Sequence, residues 1–332
     1  DAASLGRAWS KMPLIVERLV ADGVAARDVA QVISAEIRML TRRAAELAEA
    51  EMRDDPNWGP PPKPYAVFVL GSGGRGESLL AADQDNAIVY AGEEADDAAD
   101  AWCAELGERF AATLDAAGVP LCTGGVMAKN AVWRRSEGDW RATVDDWVRR
   151  HKPEDLLNVD IFFDAAAVHG DVAMAEKLWR DAYDRAANAP SFWRALSETL
   201  AGWRPPLASF GGFRMGADDR VDCKQGGLMP IFGSARVLSI KHHRPARSTP
   251  DRLAGIVEAD VISEAQRTKV VEAHKVILDA MLRQQIADAA AGVRLTPRVE
   301  VGQLLTKPER KALRAALEAA EDAVDWAREG AL

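Results

Sequence analysis

The chain has 332 residues, room for about two or three domains, and its 48% hydrophobic and 28% charged content predicts a globular protein rather than a disordered one. A formal net charge of −9 disfavours nucleic acid and anionic membranes as partners, and three cysteines without close pairing exclude a disulfide framework or a CxxC metal knuckle. No apolar run is long enough for a membrane span and no secretion signal is visible, so we expect a cytoplasmic protein.

The first fifty residues are predicted to be helical. Apolar residues recur at helical spacing from Leu14 to Leu19 and from Val29 to Leu40, with Asp22-Gly23 as a break between two helices. We expect these stripes to pack inside the protein rather than to bind a ligand. The chain begins with Asp rather than Met, which suits a fragment whose N-terminal regulatory domain is missing.

A proline-rich connection follows at residues 54–64, which read DDPNWGPPPKP. Five prolines in eleven residues disfavour a helix and favour an extended, stiff segment. We therefore place a boundary here, between a helical segment at 1–55 and a core at 56–150.

The most informative stretch is residues 65–90, YAVFVLGSGGRGESLLAADQDNAIVY. An apolar run at 65–70 predicts a strand that leads into the glycine-rich turn at 71–76. A short helical piece follows, and a second apolar run at 87–90 predicts another strand.

Two carboxylates stand at the start of the second strand. Residues i and i+2 of an extended segment face the same way, so Asp83 and Asp85 should point together while Gln84 points away. Paired carboxylates suit Mg²⁺ or Mn²⁺, which takes substrate phosphates as further ligands and supports attack on an α-phosphorus.

The glycine-rich turn is suited to bind the phosphates of a nucleoside triphosphate. Gly71, Ser72 and Gly74 offer backbone N–H groups and a hydroxyl near a predicted helix start. Arg75 adds a fork of charged donors, and Glu77 follows two residues later. Together with the two aspartates, the turn favours a nucleotidyltransferase.

A dinucleotide-binding oxidoreductase is the alternative, because the turn also satisfies GxGxxG after a strand. Glu93 and Glu94 even lie about 20 residues on, where a ribose-binding acid is expected. However, the piece between the turn and the next strand is too short and too acidic for a crossover helix, and no strand–helix alternation follows. A Walker A motif is excluded because no Lys-Ser/Thr pair follows the glycines.

Helices and one short strand are predicted after this stretch. Trp102, Leu106, Phe110 and Leu114 recur every four residues, a helical face. Residues 118–122 predict a short strand. Three tryptophans spaced by seven residues predict a helical core or a helix–helix seam: Trp133, Trp140 and Trp147.

From residue 158 onward, strand signals nearly vanish and good helix formers dominate. Helices are predicted at 173–187, 191–200, 263–286 and 308–327, the last with Thr306 at its start. The expected fold class is α+β and mostly helical: a small mixed-sheet core, an N-terminal helical segment and a C-terminal helical bundle at 151–332.

At these residues the chain resembles a known family. GSGGRGE followed by DQDNAIVY is similar to the DNA polymerase β-type nucleotidyltransferase superfamily, in its signal-transduction branch related to bacterial PII uridylyltransferases. Members of that branch usually carry CBS or cyclic-nucleotide-binding domains ahead of this unit. The resemblance extends over residues 5–325, because three later blocks follow in the family's order: LCTGGVMAKNAVWRRSEGDW, NVDIFFDAAAVHGD and VDCKQGGLMPIFGSARVLSIKHHRPARSTPDRL.

The resemblance implies roles for individual residues. Gly71 and Ser72 would hold the triphosphate of ATP or UTP, and Asp83 and Asp85 would hold the catalytic metal. Arg75 and Glu77 would shape the loop or contact phosphate. The last block belongs to the family's helical substrate-binding domain, where Lys224 and Arg236 are candidate triphosphate-binding cations. For both, a purely structural role is an open alternative.

One departure concerns the third carboxylate that the superfamily often supplies as general base. The corresponding stretch here, residues 119–126, reads VPLCTGGV and contains no acid. Asp160 and Asp164 are possible substitutes, but we expect both to belong to the helical domain. The missing acid leaves open a catalytically weak, nucleotide-sensing regulatory module as an alternative to an enzyme.

The expected reaction is transfer of a nucleoside monophosphate to a hydroxyl acceptor, with a protein as one candidate acceptor. A homodimer is one candidate assembly. His242-His243 lacks further ligands at suitable spacing for zinc, so we expect a solvated basic loop. Cys122 and Cys223 lack a motif that activates a thiolate, and we expect both to be buried.

Overall fold

The structure is a computed structural model, and it describes residues 1–150, 153–208 and 211–329. In the helix that begins at residue 153, the side chains at positions 153–155, 157 and 160 are not described. The helices are α1 Ala2–Trp9, α2 Met12–Ala21, α3 Ala26–Asp54, α4 Gly71–Arg75, α5 Asp97–Ala116, α6 Glu137–Arg150, α7 Pro153–Phe162, α8 Val172–Ala187, α9 Pro190–Thr199, α10 Met229–Lys241, α11 Thr249–Glu258, α12 Glu264–Ala290, α13 Val301–Leu304 and α14 Lys307–Glu329.

The strands are few and short. They are β1 Tyr65–Val69, β2 Asn86–Tyr90, β3 Arg134–Ser136, β4 Ala166–Gly170, β5 Val221–Asp222 and β6 Arg298–Val299. The chain divides into two compact units, the first comprising residues 1–12, 31–78 and 82–185, and the second 13–30, 79–81 and 186–332. The predicted fold class, α+β and mostly helical, is confirmed, whereas the predicted three-part division of the chain stays a prediction.

The first unit is built on a four-stranded mixed sheet in the order β3-β2-β1-β4. β1 pairs antiparallel with β2, with Val67 opposite Ile88, and β2 pairs parallel with β3. Every residue of β1 and β2 is buried, which accounts for their uninterrupted apolar sequences. Because β1 and β2 are antiparallel, the first strand and the glycine turn do not form the parallel crossover unit that a dinucleotide-binding fold requires.

Helices α3 and α5 pack against one face of this sheet. Their buried residues form a single core with β1, β2 and two residues of the connection after α5: Leu40, Ala44, Ala45, Ala48, Met52, Tyr65, Val67, Ile88, Tyr90, Ala99, Trp102, Cys103, Leu106, Phe110, Leu114, Val119 and Ala128. The predicted apolar face of α5 is therefore confirmed. In α2, by contrast, Leu14 and Ile15 are 69% and 43% exposed, so the expectation that they pack inside is wrong.

The tryptophans spaced by seven residues pack together in an aromatic core, but they do not share a helix: Trp133 ends a 3₁₀ turn ahead of β3, whereas Trp140 and Trp147 lie in α6. The rings of Trp133, Trp140 and Trp147 lie with centroids 6.2–6.5 Å apart, and Phe162 stacks on Trp140 at 5.0 Å. The indole N–H of Trp140 donates to the carbonyl of Ile88 at 2.9 Å, which ties the cluster to β2. Their role is packing, worth about 0.5–1.5 kcal/mol per aromatic pair beyond simple burial.

Two local predictions are wrong. The strand expected at 118–122 is reduced to one bridge between Gln84 and Leu121. Conversely, β4 lies in a region predicted to be helical, where it pairs antiparallel with β1. Its sequence, AAVHG, is short and poor in β-branched residues, so only pairing with β1 makes it a strand.

The second unit is a helical bundle. Helix α10 is buried on nearly all sides and contacts α9, α11 and α14, while α12 packs along α14. The four helices predicted after residue 158 are all present, as α8, α9, α12 and α14. In the described ranges, no helix is both long and apolar enough to cross a membrane.

Candidate functional site

The glycine-rich turn becomes the short helix α4 at the end of β1. Gly71 has φ +54°, a left-handed conformation that favours glycine. A Cβ at this position would lie 2.8 Å from the Oδ2 atom of Asp85. Glycine therefore leaves room for the Asp85 carboxylate directly beside the start of the loop.

Helix α3 holds the loop from behind. The guanidinium of Arg38 donates to the carbonyls of Gly73 and Gly74 at 2.8 and 2.7 Å. The backbone N–H of Ser78 donates to the hydroxyl of Ser34 at 2.8 Å. Sequence patterns did not single out Arg38, because a helix-borne arginine 35 residues from its partner carries no local signal.

A buried charge cluster fixes the rest of the loop. Arg75 donates to Glu77 at 2.9 Å and also to Asp164. The three side chains are only 8%, 5% and 1% exposed, in that order. Of the two predicted roles of Arg75, shaping the loop or contacting phosphate, this arrangement favours shaping the loop.

Gly74 is a packing residue in the same cluster. A Cβ there would lie 1.9 Å from the backbone oxygen of Asp164, so no larger residue fits without displacing the backbone. Gly74 and Asp164 together set the distance between the loop and the segment that leads into β4. A nucleotide contact by Gly74 stays a prediction.

The structure brings Asp83 and Asp85 together just ahead of β2. Asp83 is exposed and Asp85 half-buried. Between them, Gln84 is buried and its amide donates to the carbonyls of Ala111 and Val119 at 3.0 and 2.8 Å, so it points away as expected. The backbone N–H of Leu70 donates to the carbonyl of Asp85 at 2.9 Å, which joins the second aspartate to the start of the loop.

Cys122 lies beside the two aspartates. Its Sγ belongs with carboxylate oxygens of Asp83 and Asp85 to a group whose atoms are all within 4.8 Å of one another, and the residue as a whole is half-buried. Burial, followed by the charge of Asp85, raises the pKa of the Cys122 thiol to about 11, and the thiol also hydrogen-bonds to that carboxylate. The thiol is therefore protonated at neutral pH. Its signal in the sequence was its position, in the stretch where a third acid was expected.

Of the two candidates for a third carboxylate, Asp164 adds none to this group. Asp164 belongs to the first unit, not to the helical half as expected, because the chain returns after α7 to form β4 beside β1. Its carboxylate is engaged by Arg75. Asp160 lies in α7, and its side chain is outside the described residues.

The two predicted cations of the C-terminal half lie in the second unit. Lys224 begins a π-helical turn, Lys224–Leu228, and is exposed. Arg236 is 1% exposed in α10, and its guanidinium lies 5.3 Å from the ring centroid of Phe232. Contact of either residue with a nucleotide stays a prediction.

The remaining candidates show no metal site. Among the described residues, His242 and His243 belong to no group of three possible metal ligands. His242 is half-buried, and burial together with the charges of Lys241 and Arg244 lowers its pKa, so it is neutral near pH 7. Cys223 is buried, as expected.

The donor set at the loop fits a divalent cation. Two carboxylates lie close enough to share one ion, and the missing side chain at Gly71 keeps the space beside Asp85 open. Hard carboxylate oxygens are the ligands that Mg²⁺ and Mn²⁺ take together with phosphate oxygens.

Two family models match the chain. Residues 10–154 match the model described as putative nucleotidyltransferase DUF294, which covers the loop, both aspartates and Cys122. Residues 190–329 match the model described as putative nucleotidyltransferase substrate binding domain, which covers Lys224 and Arg236. No curated protein matches the chain.

Proposed function

The chain belongs to this nucleotidyltransferase family, and on that premise we propose that it transfers a nucleoside monophosphate from a nucleoside triphosphate to a hydroxyl acceptor. Asp83 and Asp85 are the metal-binding residues of this reaction. The first unit provides the phosphate-binding loop, and the second unit provides the substrate-binding half.

One observation carries the proposal: the carboxylate of Asp85 lies beside Gly71, at the first residue of the loop. A metal ligand and the phosphate-binding backbone are thus adjacent, as a metal–triphosphate complex requires. When bound there, a Mg²⁺ or Mn²⁺ ion would neutralise the triphosphate and stabilise the charge that develops on the α-phosphate and the leaving pyrophosphate.

The chain's own residues orient the nucleotide. The backbone at Gly71 and the hydroxyl of Ser72 receive the β- and γ-phosphates, and Arg38 holds the carbonyls of the loop on the opposite side. Because Arg75 and Asp164 are locked together in the interior, the loop is formed before the nucleotide arrives, which reduces the entropy cost of ordering it on binding.

The acceptor is a hydroxyl group, and a protein side chain is the acceptor class we favour. This choice extends the resemblance to bacterial PII uridylyltransferases, the signal-transduction branch of the superfamily. The donor is ATP or UTP under this proposal.

A second function, nucleotide sensing without transfer, is favoured by one specific feature. In the described part of the chain, the group around Asp83 and Asp85 is completed by the thiol of Cys122 rather than by a carboxylate. A protonated thiol is a poor general base for a hydroxyl, so a slow or absent chemical step would leave binding as the output.

The test is incorporation of label from α-³²P-labelled ATP, UTP, GTP and CTP into proteins of a cell extract, with Mg²⁺ or Mn²⁺, together with pyrophosphate release. We expect one nucleotide to label a discrete acceptor and Asp83→Asn with Asp85→Asn to abolish labelling. Asp115→Asn, which removes an exposed carboxylate of the same unit, is the matched control and should leave labelling unchanged.

Two results would count against transfer. Labelling that survives the double substitution would show that the aspartates are not the metal site of the reaction. Metal-dependent nucleotide binding without pyrophosphate release, whichever extract is offered, would favour the sensing module.

A further inference from the structure

The group formed by Asp83, Asp85 and Cys122 differs in chemistry from an all-oxygen site. One possible ligand atom from each residue lies within 4.8 Å of the other two. Metal–sulfur bonds of about 2.3 Å and metal–carboxylate bonds of about 2.0–2.2 Å need only a small inward movement to place these three atoms around one ion. Cys122 forms no disulfide, and its thiol hydrogen-bonds to the Asp85 carboxylate, so an ion shared by the two residues would replace that hydrogen bond.

The backbone holds Cys122 in this position from both sides. Ahead of it, the N–H of Gln84 donates to the carbonyl of Pro120 at 3.0 Å, and Gln84 forms a parallel bridge with Leu121. Beyond it, the N–H of Asn86 donates to the carbonyl of Val126 at 3.0 Å. The segment that carries the thiol is thus bonded to the residues on either side of Asp85.

A side-chain bond fixes the end of the same segment. The backbone N–H of Ala128 donates to the Oδ1 atom of Asn86 at 2.8 Å, and both residues are buried. Hydrogen bonds between residues 84–86 and residues 120–128 therefore position the sulfur beside the carboxylates.

We propose that Cys122 is a third protein ligand of the metal held by Asp83 and Asp85, and that the site accepts a thiophilic divalent cation of the Zn²⁺, Co²⁺ or Cd²⁺ class in addition to Mg²⁺ or Mn²⁺. The inference rests on the metal site of the proposed function and specifies which ions it selects. On binding, the S–H bond of Cys122 breaks, a metal–sulfur bond forms, and the proton goes to solvent.

The choice of ion follows from ligand softness. Mg²⁺ prefers oxygen ligands in an octahedral arrangement, whereas a thiolate favours Zn²⁺ and its neighbours among the transition metals. A site with two carboxylates and one thiolate leaves further positions open for phosphate oxygens.

The experiment is a titration of the metal-free full chain with Co²⁺, followed by near-ultraviolet absorption. Sulfur-to-cobalt charge transfer gives a band that an all-oxygen site does not give. We expect the band in the wild type, in Cys103→Ala and in Cys223→Ala, which remove the other two cysteines. It should be lost in Cys122→Ser, and Zn²⁺ affinity measured by competition should fall at least about 10-fold.

The result that overturns the inference is a band that persists in Cys122→Ser, or Co²⁺ that binds the wild type at Asp83 and Asp85 without a band. Calorimetry with Asp85→Asn reports whether Co²⁺ binds at that pair. If the band is present while label transfer from every nucleotide fails, the ligand assignment holds and the proposed transfer reaction falls. If transfer proceeds with Mg²⁺ and no band forms, the ligand assignment falls alone.

Discussion

At the scale of single residues, the candidate site separates two kinds of charge. Arg75, Glu77 and Asp164 are buried and bind each other, so their role is to hold the loop. Asp83 and Asp85 are at least partly accessible and lie close together, so both can contribute to one metal site. The sequence placed Arg75 among the nucleotide ligands because it could not show that a partner 89 residues away occupies the guanidinium.

The first residue-scale prediction concerns the buried pair. Asp164→Asn removes one of the two carboxylates that Arg75 faces, and we expect the free energy of unfolding to fall by about 1–3 kcal/mol, because a buried charged hydrogen bond is weakened while Glu77 still neutralises the guanidinium. Arg42→Ala removes a cation that is 57% exposed and paired with Glu46, and should cost no more than about 1 kcal/mol. Urea denaturation followed by tryptophan fluorescence measures both, and equal losses would contradict a buried clamp.

The second residue-scale prediction concerns the space beside Asp85. Gly71→Ala introduces a Cβ 2.8 Å from the Asp85 carboxylate in a left-handed conformation, whereas Gly59→Ala meets the same strain, at φ +71°, with nothing within 4 Å. Each should cost about 1–2 kcal/mol of stability, but only Gly71→Ala should weaken Mn²⁺ binding, by at least about 10-fold. Calorimetric titration with Mn²⁺ compares them; equal affinity in the two variants would remove Gly71 from the site.

At the scale of elements, sequence periodicity predicted the helices and strands that depend on nearby residues. The two central strands and helices α5, α8, α9, α12 and α14 follow from apolar periodicity and capping residues, and all are present. β4 and the position of Cys122 depend on pairing with distant segments, at β1 and at Gln84, so no window of sequence contains them. The antiparallel pairing of β1 and β2 likewise appeared only in the fold, and it removes the dinucleotide alternative.

The start of α14 gives an element-scale prediction. Glu309 accepts hydrogen bonds from the N–H and hydroxyl of Thr306, both at 2.7 Å, and from Arg283 at 2.6 Å. The hydroxyl of Thr306 and then Arg283 lower the pKa of Glu309 from 4.5 to about 2. A carboxylate with a depressed pKa stabilises the fold above its unfolded pKa, so this contribution is complete above about pH 4.5 and is lost as the pH falls toward about 2.

Hydrogen exchange of the first turn of α14 measures this contribution. Wild type should be better protected than Glu309→Gln at pH 6, and the difference should shrink as the pH falls below about 4.5. Glu321→Gln, an exposed carboxylate later in the same helix, is the control and should match wild type throughout. A difference between wild type and Glu309→Gln that does not change with pH would mean that the charge of Glu309 is not what caps the helix.

At the scale of the whole molecule, two compact units and two matched family regions describe one chain. The mostly helical α+β class could be predicted, because composition and periodicity are averaged over many residues. The membership of residues 151–185 in the first unit could not, because it depends on β4 joining the sheet after a helical stretch. Sequence motifs pointed to the loop and the two aspartates of the candidate site. They did not predict the three residues that the fold brings against them: Arg38, Asp164 and Cys122.

The most direct test of the central claim is a crystal structure of the full chain with Mn²⁺ and a non-hydrolysable nucleoside triphosphate, in which the metal is located by its anomalous scattering. We predict Mn²⁺ about 2.1 Å from carboxylate oxygens of Asp83 and Asp85, with the triphosphate on the backbone of Gly71 and Ser72. A metal–nucleotide complex bound elsewhere on the chain, with no metal at the two aspartates, would contradict the account.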